Sequence, residues 1–98
     1  MSAEQALTAL LANEVRGDLL VLFHRNPGLV DTIEGVARRI GRSGRTIEGD
    51  VRELVRIGVL KEKMIGASHV VLLDRVRDRQ ILESVANHLN KAGGSEER

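Results

Sequence analysis

The sequence of 98 residues has no cysteine, tryptophan or tyrosine, and it has a single proline and a single phenylalanine. Without cysteine the chain can form no disulfide, no cysteine–zinc site and no thiol redox centre. Phe23 alone cannot provide the row of aromatic rings on which proteins stack single-stranded nucleic acid or RNA bases. The core must therefore be built from leucine, isoleucine, valine and alanine.

Long apolar runs are also absent. The longest covers residues 19–23, which is far too short to cross a bilayer. The first residues, MSAEQ, lack the basic and then apolar build of a signal peptide. We therefore expect a soluble cytoplasmic protein with no membrane partner.

No enzyme or metal motif is present in the sequence. The histidines His24, His69 and His88 are widely separated and have no His, Cys or acidic neighbour at ligand spacing. Neither a G-x-S-x-G motif, nor a P-loop, nor a paired-carboxylate arrangement occurs. We therefore expect no catalytic site, no metal site and no cofactor, and a protein that is not an enzyme.

With 42% apolar and 30% charged residues, the composition is that of one globular domain. The formal net charge of +1 does not by itself predict a nucleic-acid partner, so the local arrangement of charge matters more. Lysine occurs only at Lys61, Lys63 and Lys91, and the other twelve of the fifteen basic residues are arginine. Arginine binds phosphate and guanine better than lysine does, although a compositional bias of the source genome would give the same preference.

Hydrophobic periodicity predicts five helices and one hairpin within a single domain over residues 1–92. Gly66, Ala67 and Ser68 provide the turn of the hairpin. The tail is rich in glycine and charge, and we expect it to be disordered. The predicted helices cover about 3–12, 14–25, 32–40, 43–57 and 75–90, the hairpin covers 60–73, and the tail covers 93–98.

The third and fourth helices are joined by a very short turn. The third has its apolar residues at i, i+3, i+4 and i+7, and Asp31 with Glu34 forms a D-x-x-E capping box at its start. Gly41 suits its end. A turn this short holds two helices at a steep angle.

The fourth helix has a sorted charge pattern. At about 100° per residue, its aliphatic residues fall on one side, and three arginines with a glycine lie almost opposite. Glu48 and Asp50 flank that sector, and Glu53 lies at its edge. The two sets are Ile47, Val51, Leu54 and Val55 on the apolar side, and Arg45, Gly49, Arg52 and Arg56 on the other.

An outward row of arginines around a glycine suits a polyanion. Guanidinium groups bind phosphate or guanine edges in two-pronged fashion, and glycine lets the helix backbone come close. Gly49 costs the helix about 1 kcal/mol relative to alanine, which a close approach would offset. The alternative is an ordinary solvated face, in which Glu48 pairs with Arg52 at i,i+4.

At these residues the chain resembles a known fold family. The pattern Ala37-x-x-x-Gly41 followed by Ile47 resembles the helix-turn-helix signature. The continuation Val51-x-x-Leu54-x-x-x-Gly58 is similar to the end of the recognition helix in winged-helix regulators of the ArsR and MarR type. The resemblance spans residues 14–74. It implies a mainly α protein with a small β-hairpin (α+β), a winged helix-turn-helix with extra N-terminal and C-terminal helices, in which residues 29–30 form a short strand beside the hairpin.

The resemblance also implies a DNA-binding site. Arg45 and Arg52 are expected to read bases, with the glycine between them allowing the close approach. Related wings usually carry Arg or Lys at the tip, where this chain has Ser68 and His69. Metal-sensing relatives use cysteine pairs, which are absent here. The remaining candidates are Arg56, Arg42, Lys61 and Lys63 for the DNA backbone, Ser43 and Thr46 as caps or phosphate donors, and Arg38 and Arg39 as phosphate contacts or plain surface charge.

These expectations lead to two hypotheses. The first is a sequence-specific, double-stranded-DNA-binding transcriptional regulator with the helix over 43–57 in the major groove. The alternative is a winged-helix protein–protein interaction module without specific DNA binding. The first and last helices both carry apolar stripes, so we expect them to form a homodimer interface. Alternatively, they thicken the core of a monomer.

Overall fold

The structure, a computed structural model, describes residues 3–94. Its helical majority and single small sheet confirm the predicted α+β class, and the arrangement is compatible with a winged helix-turn-helix. One further helix lies at each end. The elements are α1 (Ala3–Leu10), α2 (Glu14–Arg25), β1 (Val30–Asp31), α3 (Ile33–Arg39), α4 (Gly44–Ile57), β2 (Leu60–Ile65), β3 (Ser68–Leu73) and α5 (Arg75–Gly94).

The hairpin and the short first strand form one antiparallel sheet in the order β1-β3-β2. Leu60 pairs with Leu73 at its base, and Ile65 pairs with Ser68 at its tip. Gly66 begins the tip with a φ of 62°, a conformation that glycine adopts without steric cost. β1 covers Val30–Asp31, one residue later than the predicted strand over 29–30.

Four helix starts among the described residues are capped by a side-chain oxygen. Asn13, Thr32, Ser43 and Asp74 accept from the backbone N–H of the residue three positions on, at 2.9, 3.1, 3.3 and 3.1 Å. The predicted capping box was wrong, because Thr32 and not Asp31 caps α3. Asp31 pairs with Val71 in the sheet, and its Oδ1 accepts from the backbone N–H of Thr32. Thr32 Oγ1 accepts from the N–H of Gly35 at the start of α3.

The helix ends differ slightly from those predicted. α1 ends at Leu10 instead of residue 12, and α5 runs to Gly94 instead of residue 90. Gly93 does not stop α5, because a glycine weakens a helix without removing its backbone hydrogen bonds. Of the tail predicted over 93–98, residues 95–98 lie outside the described part of the chain.

The core is formed by one face of α4 packed against α2, α3 and the hairpin. Ile47, Val51 and Leu54 are fully buried, while Val55 is half-buried. Gly58 ends the helix in the left-handed conformation with a φ of 105°, and its N–H donates to the carbonyls of Leu54 and Val55. The residues that pack with this face include Leu19, Phe23, Val36, Ala37, Val59, Leu60, Val71 and Leu73.

The terminal helices pack against each other within the chain, yet part of their apolar surface stays uncovered. Leu10 joins the core and Val85 is buried. Leu11, directly after α1, is 67% exposed, and Leu82 and Leu89 of α5 are 42% and 52% exposed. The apolar side predicted for the last helix is therefore only partly used inside one chain.

A polar pair attaches α5 to α2. The Nε2 of His24 lies 2.8 Å from Asp78 Oδ2, and its Nδ1 lies 2.7 Å from the carbonyl oxygen of Leu20. Asp78 is buried, at 5% exposed, whereas the His24 side chain is 35% exposed.

Candidate nucleic-acid interface

The outer face of α4 carries the arginine row that the sequence indicates. Ser43 caps α4, and the buried residues of the helix recur every three or four positions on one side. The opposite, exposed side carries Arg45, Gly49, Arg52 and Arg56. The side chains of Arg52 and Arg56 are 61% and 62% exposed. The core therefore holds α4 with this row facing outward.

Two of the three arginines are paired within the helix. Arg52 donates to Glu48 Oε2 from Nε at 3.2 Å and from Nη2 at 2.6 Å. Arg56 donates to both carboxylate oxygens of Glu53 from Nε, at 3.0 and 2.9 Å, and its Nη2 also reaches Oε2. The Glu53–Arg56 pair was missed at the sequence level, although its i,i+3 spacing was a readable signal.

These pairs shift the ionisation of their members. The hydrogen bond with Glu48, together with its charge, raises the guanidinium pKa of Arg52, and Glu53 raises the pKa of Arg56 in the same way. The hydrogen bond from Arg56 lowers the carboxyl pKa of Glu53. Both pairs are thus fully charged near neutral pH. They are also solvent-exposed, and pairs of this kind are weak and screened by salt, so a competing anion can displace the carboxylate.

Arg45 is the arginine of this row without an acidic partner among residues 3–94. One turn further on, a Cβ added at Gly49 would meet no atom within 4 Å beyond the helix's own backbone. An unpaired guanidinium therefore stands beside an open stretch of helix backbone. This is where another molecule can approach α4 most closely.

Arg42 is held by the protein itself. Its Nη2 lies 3.0 Å from Asp18 and 3.2 Å from Glu14, both on α2, and its side chain is 27% exposed. The hydrogen bond with Asp18 raises its pKa. The predicted backbone contact at Arg42 is thus already engaged in joining the turn to α2.

In a second set of contacts between α2 and α4, the basic residue is on α2 and the acidic residue is on α4. Arg16 of α2 donates to Asp50 of α4 at 2.8 Å, and both side chains are 16% exposed. The Nδ2 of Asn13 donates to the same carboxylate oxygen at 2.9 Å, and Arg16 also donates to the carbonyl of Ala9. Sequence reasoning missed this network because its partners are 34 and 37 residues apart.

The start of α4 presents two hydroxyl groups. The hydroxyls of Ser43 and Thr46 are 2.8 Å apart, and Ser43 Oγ accepts from the N–H of Thr46. Both residues are exposed. Their polar atoms thus lie at the positive end of the helix dipole, where anions are favoured.

The other candidate residues lie around α4 and on the hairpin. Arg38, Lys61 and Lys63 are exposed and have no acidic partner in the part of the chain that the structure describes. Arg39 pairs with Asp31 at 3.4 Å. His69, expected at the wing tip, lies 2.9 Å from Glu62, and the charge of Glu62 also acts on Arg52. The hairpin therefore brings an acid close to α4, while Lys61 and Lys63, which alternate with Glu62 along β2, lie on the other face of that strand.

Residues 3–94 contain neither a metal site nor a membrane-spanning helix. No three His, Asp or Glu side chains gather closely enough there to hold a metal ion. Within the same residues no helix combines the length and the apolar character needed to cross a bilayer.

Solved structures share this fold at low sequence identity. One, "Possible transcriptional regulator from Methanosarcina mazei Go1", is 13% identical with a TM-score of 0.55, covering 97% of this chain and 88% of that chain. Another, the M. tuberculosis transcriptional regulator MosR, is 18% identical with a TM-score of 0.53, covering 95% and 70%. No protein-family profile and no curated protein matches the sequence. At such identities these comparisons establish the fold, a mainly helical domain with a small antiparallel sheet compatible with a winged helix.

Proposed function

We propose that the protein is a sequence-specific, double-stranded-DNA-binding transcriptional regulator that inserts α4 into the major groove. The observation that carries the proposal is the unpaired, exposed Arg45 beside the open backbone at Gly49, on a helix whose opposite face is fully buried. A helix of this size fits the major groove, and arginine is its commonest reader of guanine. The names of the two structurally similar proteins support a regulatory role.

The residues around α4 divide by role. Arg45 in the first turn of α4 and Arg52 two turns later face outward and are assigned to bases. Arg56, Lys61 and Lys63 are assigned to phosphates, which position the protein without reading sequence. Ser43 and Thr46 donate to a phosphate at the start of the helix.

The remaining candidates have weaker or indirect roles. Arg38 is free to contact phosphate, and Arg39 can do so on leaving Asp31. His69 reaches DNA only if it leaves Glu62. Arg42 acts as a positioning residue, because its contacts with Glu14 and Asp18 hold the turn that aims α4.

A homodimer would complete the site. Two copies joined through their terminal helices would present two α4 helices to half-sites about 34 Å apart, one turn of duplex. The uncovered leucines Leu11, Leu82 and Leu89 support an interface there.

The function is tested by selecting bound sequences from a random duplex pool and measuring their affinity. We expect Arg52→Ala to weaken binding to the selected site by roughly 5- to 150-fold. Arg79→Ala is the matched control, because Arg79 is also exposed but lies on α5, away from α4. If gel shifts show unchanged affinity when Arg45 and Arg52 are both replaced, the base-reading assignment is wrong.

The second candidate function is a protein-interaction module. Two observations favour it. Arg52 and Arg56 of the arginine row are already paired with acids of the same helix, and Met64 and Ile65 near the hairpin tip are exposed. Salt dependence separates the two functions, because a protein that neutralises phosphates loses affinity steeply as salt rises. Affinity for duplex that is negligible even at low salt would favour the interaction module.

A further inference from the structure

We propose that Glu48 and Arg52 act as one unit that reads a single G·C base pair, in which Arg52 donates to guanine and Glu48 accepts from the cytosine amino group. This inference rests on the proposed function and assigns to Glu48 a specificity-determining role. It follows from the geometry of the pair and from the chemistry of the base edges.

The pair leaves one acceptor and one donor group unused. Both hydrogen bonds from Arg52, through Nε and Nη2, converge on Oε2 of Glu48. In the part of the chain that the structure describes, Oε1 of Glu48 and Nη1 of Arg52 make no hydrogen bond. The two side chains are 48% and 61% exposed. A free carboxylate oxygen and a free guanidinium nitrogen therefore stand side by side on the outer face of α4.

A G·C pair offers the complementary groups. Its major-groove edge presents N7 and O6 of guanine as acceptors and, next to them, the N4 amino group of cytosine as a donor. Phosphates, thymine and guanine offer a carboxylate no donor in that groove. Adenine offers N6, but an adenine–thymine pair does not supply the paired acceptors of guanine that arginine prefers.

The negative charge of Glu48 needs such a partner. A carboxylate on a surface that meets a polyanion lowers the affinity for every DNA sequence, and Glu62 adds a second negative charge near Arg52. The same charge stays favourable only where a base donates to it. Glu48 therefore raises discrimination between sequences while it lowers general affinity.

The Glu53–Arg56 pair provides an internal control. It joins the same residue types on the same helix, but Arg56 bonds both oxygens of Glu53. Glu53 is also less exposed, at 29%. Both of its oxygens are already bonded, so its removal is expected to alter general affinity without altering base preference.

The test uses a duplex selected by the wild-type protein, in which each cytosine is replaced in turn by a pyrimidin-2-one nucleotide that lacks only the 4-amino group. Fluorescence anisotropy gives the ratio of Kd for the altered and the original duplex. At one cytosine we expect a ratio of roughly 10 for the wild type and for Glu53→Ala, and a ratio near 1 for Glu48→Ala. The altered duplex also lacks one base-pairing hydrogen bond. This loss affects all three proteins equally, so it does not change the comparison between their ratios.

A second variant and a second readout support the same test. Glu48→Gln keeps the side-chain shape, and since an amide pairs with adenine, repeated selection with this variant is expected to shift the preferred cytosine toward adenine. Circular dichroism melting confirms that both Glu48 variants are folded. If they keep the wild-type ratio at every cytosine, the inference is overturned while the proposed function stands. A wild-type protein that selects no sequence overturns both.

Discussion

Arg45 and Gly49 give the outer face of α4 its two binding properties. The guanidinium of Arg45 has no competing carboxylate in the described part of the chain, and Gly49 leaves the backbone bare one turn later. Glu48 and Glu53 restrain the other two arginines. The arginine row is therefore graded, from a free cation at the start of the helix to paired cations further along.

Gly49→Ala is expected to change stability and DNA affinity in opposite directions. We expect the free energy of unfolding to rise by about 0.5 to 1 kcal/mol, because alanine is the better helix former and the added Cβ meets no neighbouring atom. Affinity for the selected duplex is expected to fall, because under the proposed function the Cβ occupies the surface that DNA approaches. Urea unfolding and fluorescence anisotropy measure the two effects.

Gly17→Ala is the control for that substitution. Gly17 lies in α2, and a Cβ there also meets nothing within 4 Å. This variant is expected to gain similar stability and to bind DNA as the wild type does. If Gly49→Ala also left DNA affinity unchanged, close approach at Gly49 would be refuted.

Lys63→Ala tests the role of the hairpin. Lys63 is exposed and, among the described residues, unpaired, and a phosphate contact there is independent of sequence. We expect weaker binding to all duplexes alike, and a plot of log affinity against log salt whose slope is smaller by about 1. A loss confined to one sequence, or an unchanged slope, would contradict the phosphate assignment.

The orientation of α4 depends on ion pairs of both polarities with α2. Acids of α2 hold Arg42 in the turn before α4, and Arg16 of α2 holds Asp50 within α4. The two contacts lie just before α4 and in its middle. They place its outer face relative to the body of the protein, so under the proposed function α2 supports DNA binding indirectly.

Arg16→Ala is expected to lower the free energy of unfolding by about 1 to 3 kcal/mol, because it leaves the poorly exposed Asp50 carboxylate without its charged donor. The measurement is urea unfolding of this variant, of Asp50→Ala and of the double variant. This double-mutant cycle gives the interaction free energy between Arg16 and Asp50. Strictly additive losses would show that the two residues are not coupled. Arg79→Ala, on an exposed face, is expected to stay within about 0.5 kcal/mol of the wild type.

Folding of one chain buries the apolar sides of the central helices more completely than those of the terminal helices. α1 and α5 pack together, yet Leu82 and Leu89, which are seven residues apart and therefore lie on one side of α5, remain substantially exposed. His24 and Asp78 tie the beginning of α5 to α2. The helix is thus anchored at one end and presents an apolar side along its length.

Sedimentation at micromolar concentration is expected to show a dimer. Leu89→Glu is expected to shift it to a monomer, because a charge in an apolar interface loses its hydration without gaining a partner. Val21→Glu is the control, since Val21 is 53% exposed on α2, outside the terminal helices. A wild-type protein that sediments as a clean monomer ends the dimer proposal.

Local sequence determined most of the helical architecture. Helix periodicity depends on residues three and four apart, so the apolar face of α4 and the outward position of Arg45 and Arg52 were readable before any tertiary contact was known. Gly58 and the change to a β-branched run likewise marked the end of α4 and the presence of a hairpin. The same short range made Glu48–Arg52 visible as a possible pair.

Tertiary structure alone decided which groups are free to bind. Arg42 looked like Arg45 in sequence, but acids 24 and 28 residues away occupy its guanidinium. The capping residue of α3 is Thr32, while the predicted cap, Asp31, pairs with Val71 of β3, forty residues further on. Periodicity depends on near neighbours, whereas the availability of a charge depends on every group that folding brings within a few ångströms of it. That physical difference separates what this sequence determined from what only its fold decided.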